Sequence, residues 1–453
     1  MKKWIIPAVL GLLVLAVAGY WGYGQMIANR SMEIHLNNKY QRAFYDLADR
    51  VQDLEVLLSK SLVAADPGLD HNLLMDIRQQ AAFAQSDLSQ LPLSGELAGR
   101  TARFLTQTGD YAYSLAGRLN NGSQIDSENW ETMNQLYRQA VELNQELQGV
   151  QYQVAQNNSY FTGLVRQLQQ NLRETSDDVP RSDFQKMDEQ MQRYPTLVYD
   201  GPFSEHLEQV EPRALKGLPE ITPEEARKNA LAFMDRKQEA NYQAEVTGNT
   251  NGRIRAYRVE VFDGAGNSGD RTVFDISKNG GKVVWMLNSR QAGARTVDVE
   301  QARQKALEYL KDHGFGEMTS TYYQLHGNSV TFNLAAVQDG VIIYPDLVKV
   351  TVALDNGAVT GVESAGYLMS HRERDLPAVK ISREQARDTI NPRLETSGGK
   401  LVLIPKGATE EKLVYEFQGK LGEDTYLIYI NAVDGREENV MKLIETPGGT
   451  LTM

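Results

Sequence analysis

The chain has 453 residues, enough for about three domains at ~150 residues each, which excludes a single small stapled module. Its 47 Lys and Arg stand against 59 Asp and Glu, a net charge of −12, and an acidic surface of that kind repels phosphate backbones, so nucleic acid is not expected as a partner. With no cysteine, disulfide scaffolds, thiol nucleophiles, Cys-ligated zinc and iron–sulfur clusters drop out together, and six histidines limit the remaining metal or acid–base chemistry.

Lys2 and Lys3 precede an uncharged, mostly aliphatic run over residues 4–23, close to the ~20 residues a helix needs to cross a bilayer. Tyr20, Trp21 and Tyr23 close it with an aromatic cluster suited to the head-group boundary. Residues 1–24 therefore predict a single-pass transmembrane helix, with a cytoplasmic N-terminus and the bulk of the chain extracytoplasmic. The alternative is a cleaved secretory signal, for which Ala16, Val17 and Ala18 form a small-x-small tripeptide and Gly19 the new terminus.

Residues 25–178 carry helix periodicity. Leu36, Tyr40, Ala43, Leu47, Val51, Leu54 and Leu58 advance by threes and fours and so share one face. The same spacing returns at Met133, Leu136, Ala140, Leu143, Leu147, Val150 and Val154. Turn-prone clusters fall at Asp66, Pro67 and Gly68, at residues 91–95 and at residues 120–123, predicting about four helices in an all-α bundle or coiled-coil region with short connections. Such a region is also a place where copies of the chain could self-associate into a homo-oligomer. Pro180, Pro195, Pro202, Pro212 and Pro219 then crowd residues 179–220 into a linker that no helix could carry. Within it, Tyr194, Tyr199, Asp200, Phe203 and His206 belong to an aromatic, turn-rich segment and are the candidate partner-binding residues.

The remaining chain repeats at about 80 residues, over 221–292, 293–374 and 375–453. Thr222, Asp298 and Ser382 each precede a Glu or Gln three residues on, at Glu225, Gln301 and Gln385, the signature of a capping box. Ile221, Val297 and Ile381 stand before the caps, placed to staple onto Ala226, Ala302 and Ala386. Alternating strands follow each helix start, with turns at Asp355, Asn356 and Gly357 and at Asp434 and Gly435, so each repeat predicts one helix on an antiparallel sheet. Pro392 cuts the third helix short.

No catalytic, cofactor-binding or metal residues emerge. Gly264, Gly266 and Gly269 satisfy a G-x-G-x-x-G spacing, but they join two predicted strands, whereas dinucleotide binding needs a strand feeding a helix. His35, His71, His206, His313, His326 and His371 show no metal-ligand spacing, and no G-x-S-x-G nucleophile motif occurs. Glu224, Glu300 and Glu384 recur, but their first-turn position, which complements the helix dipole, accounts for them.

The triplicated helix start with its strands resembles the PepSY domain, a small α+β module. The whole order of an N-terminal span, a helical region, the segment from Tyr194 to Phe203 and three tandem PepSY-like domains resembles the YpeB family of spore germination proteins. That resemblance implies a non-enzymatic protein of the spore inner membrane that binds, localises or stabilises, and controls a SleB-like cortex-lytic peptidoglycan enzyme. Two other classes stay open at this point: an extracytoplasmic ligand sensor acting through a membrane partner, and a peptidoglycan hydrolase using Asp and Glu, whose separation is a three-dimensional property.

Overall fold

A computed structural model describes residues 5–92, 96–120, 125–156, 160–161, 163, 211–234, 242–263, 271–406, 410–446 and 449–453. The chain divides into a helical unit, Met1–Leu62 with Pro67–Thr196, and a sheet unit, Leu197–Met453 with Val63–Asp66.

Among the described residues, four long helices build the helical unit: α1 (Ile5–Ser61), α2 (Pro67–Ser89), α3 (Glu96–Asn120) and α4 (Ser127–Gln156). Pro67 starts α2, where a missing amide proton costs nothing because the first turn has no intrahelical acceptor for it. The faces set by the three-and-four spacing are the buried ones. On α1 the buried stripe begins at Ala43 and runs through Leu47, Val51, Leu54 and Leu58, while Leu36 is exposed. On α4, Met133, Leu136, Ala140, Leu143, Leu147, Val150 and Val154 are all buried. α1 packs on α2 and α4, and α2 packs on α3. Polar contacts pin the register: Asn144 of α4 donates to Glu55 of α1 at 2.7 Å, and the Trp130 indole donates to the Leu62 carbonyl at 2.9 Å. Beyond α4, Phe161 is fully buried against Phe44, ring centroids 5.7 Å apart.

The expected transmembrane helix is corrected here. The apolar run of residues 4–23 is not an element of its own, because α1 continues unbroken for 57 residues. Its backbone ladder passes straight into a stretch that carries exposed Arg30, Glu33 and Lys39, and among the described residues no helix is long and apolar enough to cross a membrane.

In the sheet unit, a 3-10 turn (Arg213–Leu215) is followed by α5 (Pro223–Phe233) and the strands β1 (Tyr242–Asn251), β2 (Arg255–Asp263), β3 (Thr272–Ser277) and β4 (Val283–Asn288). The second repeat gives α6 (Val299–Asp312), β5 (Met318–His326), β6 (Ser329–Gln338), β7 (Val341–Ala353), β8 (Val359–Glu363) and a short α7 (Ala365–Ser370). The third gives α8 (Arg383–Asp388), β9 (Glu395–Lys406), β10 (Glu410–Leu421), β11 (Asp424–Asn431), β12 (Glu437–Thr446) and β13 (Gly449–Thr452). All three helix starts close a reciprocal capping box, Thr222 with Glu225, Asp298 with Gln301 and Ser382 with Gln385. Ala226, Ala302 and Ala386 each have no exposed surface, so the recurrent alanine is the small residue that lets each helix sit close to its sheet. The recurring first-turn glutamates serve the helices too, Glu224 pairing with Arg227 and Glu300 with Arg303. Six residues long, α8 ends before Pro392.

The repeats do not make three separate sheets. Among the described residues thirteen strands form one sheet in the order β1-β2-β3-β4-β8-β7-β6-β5-β13-β12-β11-β10-β9. β9 then returns to pair in parallel with β7, Ile342 opposite Val402 and Ile343 opposite Leu403. Because β13 pairs with β5 through Gly449 and Gln324, strands β5, β6, β7 and β9 to β13 close into a ring of eight. Val402, Ile404, Val414, Tyr429 and Met441 form one buried cluster with Tyr344, drawn from the five neighbouring strands β7, β9, β10, β11 and β12. An eight-stranded ring is just wide enough to be filled by side chains or to admit one small ligand. Both the first and second repeats are tied together by β4 against β8 and by the Tyr309 hydroxyl, which donates to the Phe233 carbonyl at 2.6 Å.

Candidate functional site

The site begins with a strand that cannot stay regular. The sequence of β7 places Pro345 in the middle of an apolar run, and proline has no amide proton to give to a ladder. The pairing of β6 with β7 accordingly jumps from Ala335–Leu347 to Ala336–Ile343, leaving Tyr344, Pro345 and Asp346 without partners in β6. Such a bulge re-aims side chains, and here it delivers two buried polar groups to two different tasks.

Tyr344 reaches across to β10. Its hydroxyl donates to Glu416 Oε2 at 2.5 Å, and Lys400 Nζ of β9 lies 2.8 Å from Glu416 Oε1. Glu416 is buried while the Lys400 side chain is about half exposed, so the carboxylate is neutralised from the solvent side. Burial first, and then the adjacent Glu416 charge, hold the Tyr344 hydroxyl well above the ordinary tyrosine range, so it acts as a donor throughout the physiological range. Above this polar layer lies a cavity of about 690 Å³, lined among others by Tyr322, Tyr323, Tyr344, Lys400, Gln418 and Arg383. Ile404, Val414, Tyr429 and Met441 cluster with Tyr344 in the core beneath it. Gly398 and Gly399, at φ +88° and +100°, give the segment of β9 beside the cavity a backbone shape that other residues rarely adopt.

Asp346 turns to a second cluster. Arg374, in the connection between α7 and α8, is almost fully buried and grips Asp346 with two hydrogen bonds, Nη1 at 2.9 Å and Nη2 at 2.8 Å. The same guanidinium reaches Glu411 of β10 at 3.1 and 3.0 Å, and Arg372 adds a contact to Glu411 at 2.8 Å. His371 Nδ1 lies 2.6 Å from Asp346 and its ring stacks on Tyr367, centroids 4.1 Å apart. Burial and the Asp346 charge push the Tyr367 hydroxyl up to about 12. This clamp joins β7 to β10 beside the parallel β7–β9 seam, so it fixes the closure of the ring and with it the shape of the cavity.

The buried carboxylate at the mouth is held by a cation and a phenol, and among the described residues that line the cavity Glu416 is the one carboxylate, where glycan hydrolysis uses a pair. Among the described residues no group of three or more His, Asp or Glu is placed to hold a metal ion. His313 Nδ1 lies 2.7 Å from the Tyr309 carbonyl beside the Phe233 ring, and His71 Nδ1 lies 3.3 Å from the Ala116 carbonyl.

Tyr194, Tyr199, Asp200, Phe203 and His206, the partner-binding candidates, lie outside the described residues, as does the glycine segment 264–269. Sequence reading missed Tyr344, Lys400, Glu416, Asp346 and Arg374. The one usable signal was Pro345 inside a strand pattern, which marks a bulge and hence a place to look.

Three family models match the chain: "YpeB N-terminal" over residues 28–163, "YpeB sporulation, PepSY1 and PepSY2 domains" over residues 181–377, and "Peptidase propeptide and YPEB domain" over residues 380–441. Relatives named sporulation protein YpeB match over nearly the whole chain, and two of them give the measure of the likeness. One, from Halalkalibacterium halodurans, is 29% identical over 443 residues, covering 96% of this chain and 97% of its own. The other, from Bacillus subtilis, is 28% identical over 448 residues, 98% of both chains. Among solved structures, the Bacillus megaterium YpeB C-terminal domain is 33% identical, covers 50% of this chain and 100% of its own, and gives a TM-score of 0.44.

Proposed function

Because the chain belongs to the YpeB family of sporulation proteins, we propose that it serves in the spore as a non-enzymatic binding protein that holds, stabilises and controls a SleB-like cortex-lytic enzyme. The observation that carries the binding reading is the open end of the sheet. β1 is its outermost strand, ten residues long, and among the described residues nothing pairs with its outer side. Such an edge presents a row of unpaired amides and carbonyls that a strand of another protein can complete. The opposite end of the strand order is not available in this way, since β9 turns back onto β7. A free edge at one end and a closed ring at the other suit a protein that captures a partner, and neither end assembles a catalytic pair or triad among the described residues.

The test is genetic and biochemical. Spores carrying a chain without residues 221–453 are expected to contain less of the lytic enzyme, or to lose its normal location, as followed by immunoblot of spore fractions. Unchanged enzyme level and distribution in those spores would contradict the proposal.

A further inference from the structure

The mouth of the strand ring has the composition of a ligand site that partner capture at the β1 edge does not use. At about 690 Å³ it falls in the ~300–1,000 Å³ range of small-molecule sites, and barrel mouths are among the places where such sites recur. Its cations are specific. Lys400 balances Glu416 through one contact and keeps further donors on its ammonium, half exposed to the cavity. Arg383 lines the same cavity and forms no salt bridge with a described residue. Its side-chain stem lies where a β-carbon on Gly399 would be, 2.8 Å from both Cγ and Cδ, so glycine at 399 is what lets the arginine rest there. Among the described lining residues two cations, Lys400 and Arg383, stand against one carboxylate, Glu416, a surplus of one positive charge that a ligand carboxylate would balance, and a guanidinium is the fork that best receives it.

The rest of the lining indicates what carries that carboxylate. Tyr323 is partly exposed, with its ring set at 6.0 Å from Phe332, and offers a flat apolar face ending in a hydroxyl. Gln418 and Thr321 add an amide and a hydroxyl, and Glu416 is an acceptor already oriented by Tyr344. Ring faces interleaved with hydroxyl and amide groups match a ring that carries many hydroxyls. A peptide would instead seek open strand backbone, and β10 and β11 are each paired on both sides.

We infer that the mouth of the ring binds a carboxylate-bearing sugar of about two rings, its carboxylate on Arg383 and Lys400 and one sugar face on Tyr323. The choice of an amino sugar as probe rests on the cell-wall reading above. The measurement itself involves no lytic enzyme, so its failure and the failure of partner binding are separately visible. The full chain is titrated calorimetrically with the disaccharide of N-acetylglucosamine and N-acetylmuramic acid, with neutral di-N-acetylchitobiose, and with a short glutamate-rich peptide. The acidic disaccharide is expected to bind saturably and about tenfold or more tighter than the neutral one, the difference a charge-assisted carboxylate contact supplies. Arg383→Gln and Lys400→Gln each remove most of that preference, and Tyr323→Ala weakens both sugars. Circular dichroism of each variant is compared with the parent, and one folded charge-removing variant suffices; Arg383→Gln, which breaks no salt bridge with a described residue, is expected to match it. Absence of saturable binding, equal affinity for the two disaccharides, tighter binding of the peptide, or a preference that survives both charge-removing variants would each overturn the inference.

Discussion

Replacing Arg374 by methionine tests whether the clamp holds the ring closed. The change keeps an unbranched apolar stem but strips the guanidinium from a position only 3% exposed, leaving Asp346, itself 1% exposed, with one nearby polar partner in His371. Four hydrogen bonds to carboxylates vanish, at 2.9 and 2.8 Å to Asp346 and 3.1 and 3.0 Å to Glu411. Each is worth ~1.5–3 kcal/mol when charged. The gross loss is cut by what remains, because His371 still contacts Asp346 and Arg372 still holds Glu411 at 2.8 Å. The net expectation is the ~3–5 kcal/mol typical of removing one partner from a buried ion pair. Urea unfolding of the full chain, followed by far-UV circular dichroism, reads the loss as a lower midpoint for the sheet unit. Hydrogen exchange places the loosening in β7, β9 and β10. The double variant Arg374→Met with Asp346→Leu removes the stranded charge as well and is expected to recover stability to within about 2 kcal/mol of the parent. A single-variant loss under about 1 kcal/mol, or a double variant no better than the single, would refute the reasoning.

Two further expectations concern parts of the fold away from the ring. In the helical unit, burial brings Lys60 down to about 8, against the opposing pull of Asp53 and Asp76. Its charged form therefore opposes folding: below pH 8 both folded and unfolded chains carry the proton, and between about pH 8 and 10.5 only the unfolded chain does, so stability rises through that window by about 3 kcal/mol. Lys60→Met is expected to be the more stable protein at pH 7, with the advantage shrinking as pH climbs through that window in paired denaturant titrations; a constant difference from pH 7 to 10.5 would contradict the burial account. In the sheet unit, Asp298→Ala opens the capping box of α6 and is expected to cost about 1 kcal/mol in urea unfolding, with Asp298→Asn, which keeps an acceptor, costing less.

Local chemistry was legible in the sequence where one residue acts on its immediate neighbours. Thr222, Asp298 and Ser382 announced three helix starts because a cap and its reciprocal partner lie only three residues apart. The stripe from Met133 to Val154 was readable because periodicity alone sets which face of a helix is buried. β9 was missed because it opens with Glu395, Thr396 and Ser397 and then two glycines, a composition that reads as loop until β10 pairs with it along its length. Closure of the ring was invisible for a related reason: it depends on Ile342 meeting Val402 sixty residues later, and periodicity carries no information about which strands meet. Buried charge was the least readable feature, since Glu416 and Arg374 look like ordinary surface residues until Tyr344 and Glu411, each from the other repeat, meet them in the folded ring. The apolar N-terminal run misled in the opposite direction, because its composition suggested a separate span where the backbone continues as one long helix.

The central claim, capture of a cortex-lytic enzyme by this chain, is tested most directly by titrating the purified full chain into a fluorescently labelled, purified SleB-like enzyme and following anisotropy. The account predicts saturable one-to-one binding with a Kd of about 1 μM or tighter, weakened at least about tenfold when residues 221–453 are removed. No saturation at about 100 μM, or equal binding by the chain lacking those residues, would contradict it.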